Sequence, residues 1–163
     1  MHPDAQFADG QIPRNDIAIL HLTKPLKFTK KINSIALPST VSTDPKYVFV
    51  GRGTDESGRL SKSLKTMDAV KLSTQECVSQ LPKEYQEMIK PQLGDLEKAI
   101  ICAKRPDGQP GICSGDSGSP LVQESTLIGL ASFIGGMGCS NVRLGFYVNV
   151  ATYVPWIKSV TKL

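Results

Sequence analysis

Apolar stretches in this chain are short, and each is bounded by residues that favour turns. Such runs are typical of β-strands, because a buried helix needs a longer stretch with a repeat of 3.6 residues. They predict an all-β fold. The predicted strands cover residues 17–22, 47–50, 63–72, 99–103, 121–122, 127–134 and 145–150.

Two segments read as helices instead. Residues 73–76, Ser-Thr-Gln-Glu, have the pattern of a capping box, and good helix formers follow at 83–89. Near the C-terminus, Val154, Ile157 and Val160 lie about one turn apart, which predicts an amphipathic helix over 152–163. Residues 23–45 are rich in Lys, Pro, Ser and Thr and are predicted to form a linker.

The composition is that of a soluble globular protein, with 40% hydrophobic residues and a net charge of +4. No apolar run approaches the roughly 20 residues that span a bilayer, and residues 1–20 lack the apolar core of a signal peptide. No aromatic platform or base-reading motif accompanies the basic residues, so neither a nucleic acid nor a membrane is an expected partner. The densest basic cluster is Lys24, Lys27, Lys30 and Lys31.

Four cysteines form an even set, which is compatible with two disulfides and an oxidising compartment. No pair has the Cys-x-x-Cys spacing of a zinc or redox site, so metal binding is the weaker interpretation. We expect no cofactor and no metal. The cysteines are Cys77, Cys102, Cys113 and Cys139.

The run 113–120, Cys-Ser-Gly-Asp-Ser-Gly-Ser-Pro, carries the clearest chemical signal. A nucleophilic serine needs a base, an acid that orients the base, and N–H donors for the developing oxyanion. Gly115 can direct its N–H toward a substrate carbonyl beside the N–H of Ser117, and Gly118 leaves room for substrate. A simple turn is the alternative, but the whole pattern is far more restrictive than Asp-Ser-Gly alone.

The run 15–20, Asn-Asp-Ile-Ala-Ile-Leu, places an acid ahead of an apolar strand. By itself Asp16 marks nothing more than a strand boundary. Asp16 precedes Ser117, with a linker and several strands between them. In one class of catalytic triads the acid likewise precedes the serine along the chain.

Together these motifs resemble those of the trypsin/chymotrypsin family of serine endopeptidases, particularly insect and crustacean chymotrypsin-like members. Three further runs support the resemblance: Gly-Arg-Gly at 51–53, Ser-Phe-Ile at 132–134 and Tyr-Val-Pro-Trp-Ile at 153–157. The resemblance implies a double β-barrel fold, here with a complete second barrel, the last strand of the first and a C-terminal helix. It divides the chain into residues 1–45 (first-barrel remnant and linker), 46–150 (six-stranded barrel) and 151–163 (helix).

The same resemblance assigns roles to individual residues. Asp16 would be the triad acid and Ser117 the nucleophile, with Gly115 and Ser117 forming the oxyanion hole. Disulfides would join Cys77 to Cys102 and Cys113 to Cys139. The first pair encloses a longer segment than the family usually has, which implies an enlarged helical loop beside the cleft.

The specificity pocket follows by resemblance as well. Gly111 would form its base, with Ser132, Ile134 and Gly145 around the walls. Because Gly111 offers no carboxylate, an Arg or Lys side chain would enter without an ion partner. Ile134 should narrow the pocket, so we expect preference for small or medium apolar residues, as in chymotrypsin- or elastase-like cleavage.

The family's general base is a histidine upstream of the acid motif, and no such segment is present here. The two histidines are His2 and His21. His21 follows Asp16 by five residues, which in a strand is about 16 Å, with the side chain on the opposite side. We therefore expect this chain to be the C-terminal portion of a protease and inactive alone.

Asp116 is linked to activation by the same resemblance. In the family it pairs with a new N-terminal ammonium formed by zymogen cleavage. A carboxylate buried without that partner is costly, which predicts a zymogen-like, disordered oxyanion loop.

Two functions of different class fit these observations. The first is a secreted, monomeric serine endopeptidase that acts on proteins and peptides and binds protease inhibitors. The second is a non-catalytic homologue that serves as a binding or regulatory module. Retention of Asp16, Gly115 and Ser117 favours the first, because a binding module has no chemical need for them.

Overall fold

The fold is a six-stranded antiparallel barrel with helices on its outside. A computed structural model describes residues 1–8, 11–40, 44–55, 57–136 and 138–162. The strands are β1 (Lys46–Gly51), β2 (Lys65–Leu72), β3 (Ile100–Lys104), β4 (Pro120–Gln123), β5 (Thr126–Ile134) and β6 (Gly145–Asn149). The helices are α1 (Thr74–Ser79), α2 (Lys83–Ile89), α3 (Leu93–Ala99) and α4 (Val150–Thr161).

The barrel closes in the order β1-β2-β3-β6-β5-β4, and every pairing is antiparallel. Its pairing register shifts at two places on the longest strand, β5. One lies opposite Leu121 and Val122 of β4, and the other lies between Ala131 and Phe133 where β5 pairs with β6. Bulges of this kind re-aim side chains at barrel rims. Here the second shift places Ser132 at the edge of the site described below.

Alternating apolar residues of the strands fill the barrel interior. Tyr47, Phe49, Leu121 and Tyr147 are each at most 4% exposed and pack in one cluster with residues of β2, β3 and β5. Strand β6 is buried along its whole length, because helices and neighbouring strands cover both of its faces. This rigid interior supports the loops at the rim.

Disulfides connect the barrel to its surface segments. The structure contains both expected pairs, Cys77–Cys102 and Cys113–Cys139. The predicted capping box is also present, since the Ser73 hydroxyl accepts from the Glu76 N–H and the Glu76 carboxylate accepts from the Ser73 N–H. The first disulfide therefore ties α1 directly to β3.

The segment between Cys77 and Cys102 is helical, as expected of an enlarged loop. It contains α2 with the predicted bounds, a 3-10 turn at Lys90–Gln92, and α3. Helix α3 was not expected from the sequence. Gly94 lies inside it and Gln92 precedes it without a side-chain cap, so the usual signals of a helix start are missing.

The prediction differs from the structure at residues 17–22. They form no strand among the described residues, although the His2 N–H donates to the Ile17 carbonyl at 2.9 Å. Ile17 is buried against Val148 and Tyr153, but Leu20 is 87% exposed and Leu22 is 54% exposed. The run is apolar, as the sequence shows, but a β-strand also needs a neighbouring strand that forms hydrogen bonds with its backbone.

The predicted linker over 23–45 contains, in its described part, two isolated bridges, Thr29 with Ile32 and Ala36 with Thr126. Among the described helices, none has the length and apolar character that a bilayer crossing requires.

Candidate active site

Ser117 lies on a tight loop between the Cys113–Cys139 disulfide and strand β4. The Asp116 N–H donates to the Cys113 carbonyl at 3.0 Å, which closes the turn. The Gly118 N–H then donates to the Ala131 carbonyl at 2.7 Å and fastens the loop to β5. Gly115 has φ +88° and Gly118 has φ +77°, backbone conformations that favour glycine. The Ser117 side chain is left exposed.

The N–H groups of Gly115 and Ser117 donate no hydrogen bond within the described part of the chain. Both residues are exposed, so solvent or a ligand can reach the loop that carries them. Leu60 lies against Gly115, where a side-chain carbon would come within 3.0 Å of its Cδ2. The loop thus has the two donors that an oxyanion would need.

Asp116 points away from solvent and is 7% exposed. Its carboxylate accepts from the Gly53 N–H at 2.7 Å and from the Cys113 N–H at 2.9 Å. A side chain at Gly53 would collide with this carboxylate, which explains a glycine there. Two backbone donors therefore satisfy a buried charge that the sequence analysis assigned to an ammonium.

The charge of Asp116 acts on the barrel interior. Burial, and to a smaller extent the Asp116 carboxylate, raises the pKa of Tyr147 well above its ordinary value. The tyrosine remains neutral inside the core beneath the loop.

Asp16 contacts the rim of the barrel through strand β5. Its carboxylate accepts a hydrogen bond of 2.6 Å from the Ser132 hydroxyl, which stands at the register shift of β5. Asp16 is half-buried beside Tyr153. Burial, with a smaller contribution from the Asp16 carboxylate, raises the pKa of Tyr153.

Asn15 shapes the turn that presents Asp16. It has φ +50°, a left-handed conformation that costs a non-glycine residue energy. Its side chain compensates, because its Oδ1 accepts from the Tyr153 hydroxyl at 3.0 Å and its Nδ2 donates to the Asp4 carbonyl at 2.9 Å. This support was not predicted, although Asn15 and Tyr153 both belong to the motifs that mark the family resemblance.

A cavity of about 250 Å³ contains the nucleophile candidate. Ser117 lines it together with Ser114, Ser132, Phe133 and Ile134. Ser132 therefore lines this cavity and also contacts Asp16, so one residue of β5 connects the acid to the wall of the cavity that Ser117 lines.

The two other predicted pocket residues lie next to the Ser117 cavity, and Gly145 is the register partner of Ile134. Gly111 lines an adjoining cavity of about 750 Å³, which shares Cys113 and Asp116 with the Ser117 cavity. Gly145 is buried in β6, where a side-chain carbon would come within 2.9 Å of the Tyr147 hydroxyl. Neither lines the cavity at Ser117.

The two histidines are outside the site. The His2 ring packs against Trp156 with ring centroids 4.8 Å apart, and its Nδ1 accepts from the Asp4 N–H. His21 is exposed on residues 17–22. Neither lines the cavity at Ser117. Within the described ranges, no three His, Cys, Asp or Glu side chains gather as metal ligands.

The comparisons with known proteins agree with this geometry. The family described as Trypsin matches residues 2–157. A vitellin-degrading protease of Bombyx mori is 32% identical over 99% of this chain and 58% of its own length. Trypsin-3 of Salmo salar is 30% identical over 89% of this chain and 57% of its own length. The chain thus spans a little over half the length of these relatives.

Solved structures show the same fold. Neuropsin, a serine protease of mouse brain, superposes with a TM-score of 0.68 over 85% of this chain and 58% of its own, at 21% identity. A structure described as HL collagenase gives a TM-score of 0.65 over 85% of this chain and 57% of its own, at 25% identity. By its sequence and its fold, this chain belongs to the trypsin family.

Proposed function

We propose that this chain carries the nucleophile half of a serine endopeptidase. One observation supports this most directly: exposed Ser117 shares a cavity with Ser132, whose hydroxyl donates to Asp16. Among the described residues, the N–H groups of Gly115 and Ser117 have no hydrogen-bond partner. An acid, a nucleophile and oxyanion donors are three of the four parts that acyl transfer requires.

The reaction would proceed through an acyl-enzyme. The Ser117 oxygen attacks the peptide carbonyl and its proton passes to a base, while the N–H groups of Gly115 and Ser117 receive the oxyanion. The tetrahedral intermediate expels the amine, which takes the proton from the base. Water then attacks the ester, again with the base taking its proton, and releases the acid and Ser117.

The base is the missing part. Neither His2 nor His21 lines the cavity, and geometry precedes every other criterion for a general base. We propose that a histidine outside these 163 residues supplies it, from a first barrel to which residues 1–45 also belong. Exposed apolar side chains support this, since they would pack against such a barrel. They are Leu20, Leu22, Leu26, Phe28, Ile32 and Ile35.

The substrate residue at the cleaved bond is proposed to be small or medium and apolar. Ile134 and Phe133 provide apolar walls of the Ser117 cavity. Among the described residues, Asp116 supplies the one carboxylate that lines it, and this carboxylate already accepts two backbone N–H bonds. An Arg or Lys side chain would therefore lose hydration without gaining a free partner.

A non-catalytic binding module is the second candidate. The position of both histidines outside the cavity favours it, because such a protein would bind peptides at the same rim without cleaving them. Under either function, two disulfides suit secretion into an oxidising compartment.

A chimera distinguishes the two functions. The part of the Bombyx mori vitellin-degrading protease outside the matched region would be joined to residues 1–163 and assayed on a peptide library, with Ser117→Ala as the control. We expect cleavage after apolar residues that the control abolishes. No cleavage by a chimera shown by circular dichroism to be folded would favour the binding module. Preferred cleavage after Arg or Lys would contradict the substrate assignment.

A further inference from the structure

Residues 17–43 carry the whole net charge of the chain. They contain four lysines and no arginine, aspartate or glutamate. The remaining Lys and Arg residues equal the 15 Asp and Glu residues in number, so the net charge of +4 resides entirely in this stretch. All four lysines lie within residues 24–31, which we call the lysine segment. They are Lys24, Lys27, Lys30 and Lys31.

The lysine segment presents its charges to solvent. Every residue from 24 to 31 is exposed. Neither of the two ion pairs found among the described residues involves it. The acids closest to it along the chain are Asp44 and Asp16, and Asp16 accepts from Ser132. The described part of the chain therefore leaves these four cations available to an anionic partner.

A hydrogen-bonded turn orders one end of the lysine segment. Thr29 and Ile32 form an isolated antiparallel bridge, in which the Thr29 N–H donates to the Ile32 carbonyl at 2.8 Å. The Thr29 hydroxyl oxygen accepts from the N–H groups of Lys31 and Ile32, both at 3.1 Å. Lys30 and Lys31 occupy the two central positions of this turn. The backbone therefore holds two lysines side by side at an exposed tip.

Spacing within the lysine segment favours a partner with repeated charges. Successive lysines are one to three residues apart, so at most about 10 Å of extended chain separates their Cα atoms. The Debye length at physiological ionic strength is of similar size, about 8 Å, so neighbouring charges reinforce one another's potential. Lysine-rich runs of this length are typical of surfaces that bind nucleic acid or heparin.

Two features distinguish between the polyanions that such a surface could bind. Phe28 is the one aromatic side chain of the segment, whereas single-stranded nucleic acid is bound by several rings on which successive bases stack. A membrane surface would take up the apolar side chains beside the lysines, but we assign these to the contact with a first barrel. Two disulfides also suit an extracellular protein.

We propose that the lysine segment binds a linear sulfated polysaccharide. Sulfate groups repeated along a flexible chain can each meet one lysine, because the lysine ammonium is a compact charge on a long, adaptable stem. This binding surface is separate from Ser117 and requires no catalysis. It would serve an endopeptidase and a binding module equally, so its test is independent of the proposed function.

Binding of a fluorescent, size-defined heparin oligosaccharide to the intact chain tests the inference by fluorescence anisotropy. We expect saturable binding that weakens with salt, with a slope of log Kd against log salt of about 3, because four lysines release the counterions of about four sulfates. Unsulfated heparosan of equal length should compete roughly tenfold more weakly. Absence of binding at physiological salt, or equal competition by heparosan, would overturn the inference.

Charge-matched variants locate the binding surface. The test variant combines Lys24→Gln, Lys27→Gln, Lys30→Gln and Lys31→Gln. The control variant has the same net charge and changes exposed lysines elsewhere: Lys62→Gln, Lys65→Gln, Lys83→Gln and Lys158→Gln. We expect the test variant to bind roughly a hundredfold more weakly, since each lysine near an anionic surface adds several-fold to affinity. The control should lose less than about fivefold.

A third variant separates charge from folding. Arginine at all four positions of the lysine segment keeps the charge and should keep Kd within about threefold. Circular dichroism confirms that each variant is folded. Equal losses in the test and control variants would mean that the oligosaccharide responds to net charge alone, and the inference would be wrong.

Two other polyanions provide the remaining outcomes. Cosedimentation of the chain with phosphatidylserine vesicles, without binding of the oligosaccharide, would identify a membrane surface. Displacement of the oligosaccharide by single-stranded DNA at a lower concentration than by unlabelled heparin would identify nucleic acid as the preferred partner. Either result overturns the inference and leaves the proposed function at Ser117 unaffected.

Discussion

The Ser132 hydroxyl donates to the Asp16 carboxylate at 2.6 Å, across 116 positions of sequence. Asp16 precedes the barrel, and Ser132 stands on β5 at its register shift. This bond therefore fixes the acid to the same strand that lines the Ser117 cavity. The orientation of Asp16 is set by the barrel and does not depend on a strand at residues 17–22.

Removing the Ser132 hydroxyl should loosen this attachment. A hydrogen bond to a charged group contributes roughly 1.5–3 kcal/mol when buried, and less at a half-buried carboxylate. We expect Ser132→Ala to lower the free energy of unfolding in urea by about 1 kcal/mol. Ser140→Ala, at an exposed serine, is the matched control. Equal stability of the two variants would show that the bond is absent in solution.

Asn15 should respond differently to two small substitutions. Asn15→Ala loses the bonds to Tyr153 and Asp4 and still bears the cost of φ +50°, whereas Asn15→Gly loses the bonds and relieves that cost. We expect Asn15→Ala to be less stable than Asn15→Gly by about 1 kcal/mol. Urea denaturation measures both. If alanine is the more stable, the left-handed turn does not exist.

Asp116→Asn should destabilise the nucleophile loop. Its carboxylate accepts from two backbone N–H groups, whereas an amide turns its own donor toward one of them. We expect a loss of about 2 kcal/mol in the free energy of unfolding and faster hydrogen exchange at the Gly53 and Cys113 amides. Asp68→Asn, at an exposed position on β2, should change neither. If hydrogen exchange at the Gly53 and Cys113 amides does not change, Asp116 does not accept their hydrogen bonds.

Tyr147 makes stability depend on pH in the alkaline range. Its pKa in the folded chain is raised above the value of about 10 in the unfolded chain, so the folded state retains the proton more strongly. This contribution is complete below pH about 10 and declines as the pH rises further. Relative to Tyr147→Phe, the natural chain should lose up to about 1.4 kcal/mol per pH unit between pH 10 and 11.5. Urea denaturation measures both proteins at each pH. If their free energies of unfolding change equally with pH, the pKa of Tyr147 is not raised by folding.

Local patterns in the sequence predicted most of the barrel. Alternating apolar runs gave the six strands, and the bounds of α2 and the cap at Ser73 follow from short-range preferences that the structure retains. The run 17–22 has the same pattern but lacks a partner strand among the described residues. Whether a segment forms a strand depends on the neighbouring segment as well as on its own residues, so an apolar pattern alone does not establish a strand.

The nucleophile loop was predictable because its residues are adjacent in sequence and each has a local reason. The contact of Ser132 with Asp16 was not predictable, since it depends on a register shift in β5 that no residue type in the sequence indicates. Gly145 lies beside Ile134, its register partner on β5, whereas Gly111 lines a neighbouring cavity that shares Asp116 with the Ser117 cavity.

The central claim is that Ser117 is the nucleophile of an acyl-transfer site. Intact-mass analysis and peptide mapping after treatment with a peptidyl phosphonate measure this directly, on the chimera with the Bombyx mori segment and on the 163 residues alone. We expect one adduct, on Ser117, in the chimera, with at most trace labelling of the chain alone. Asp16→Asn in the chimera should slow labelling by a factor of up to about 10⁴, the effect that loss of the acid has on turnover in the well-studied Ser-His-Asp triad. An adduct on another residue, or equal labelling rates with and without the Bombyx mori segment, would contradict the claim.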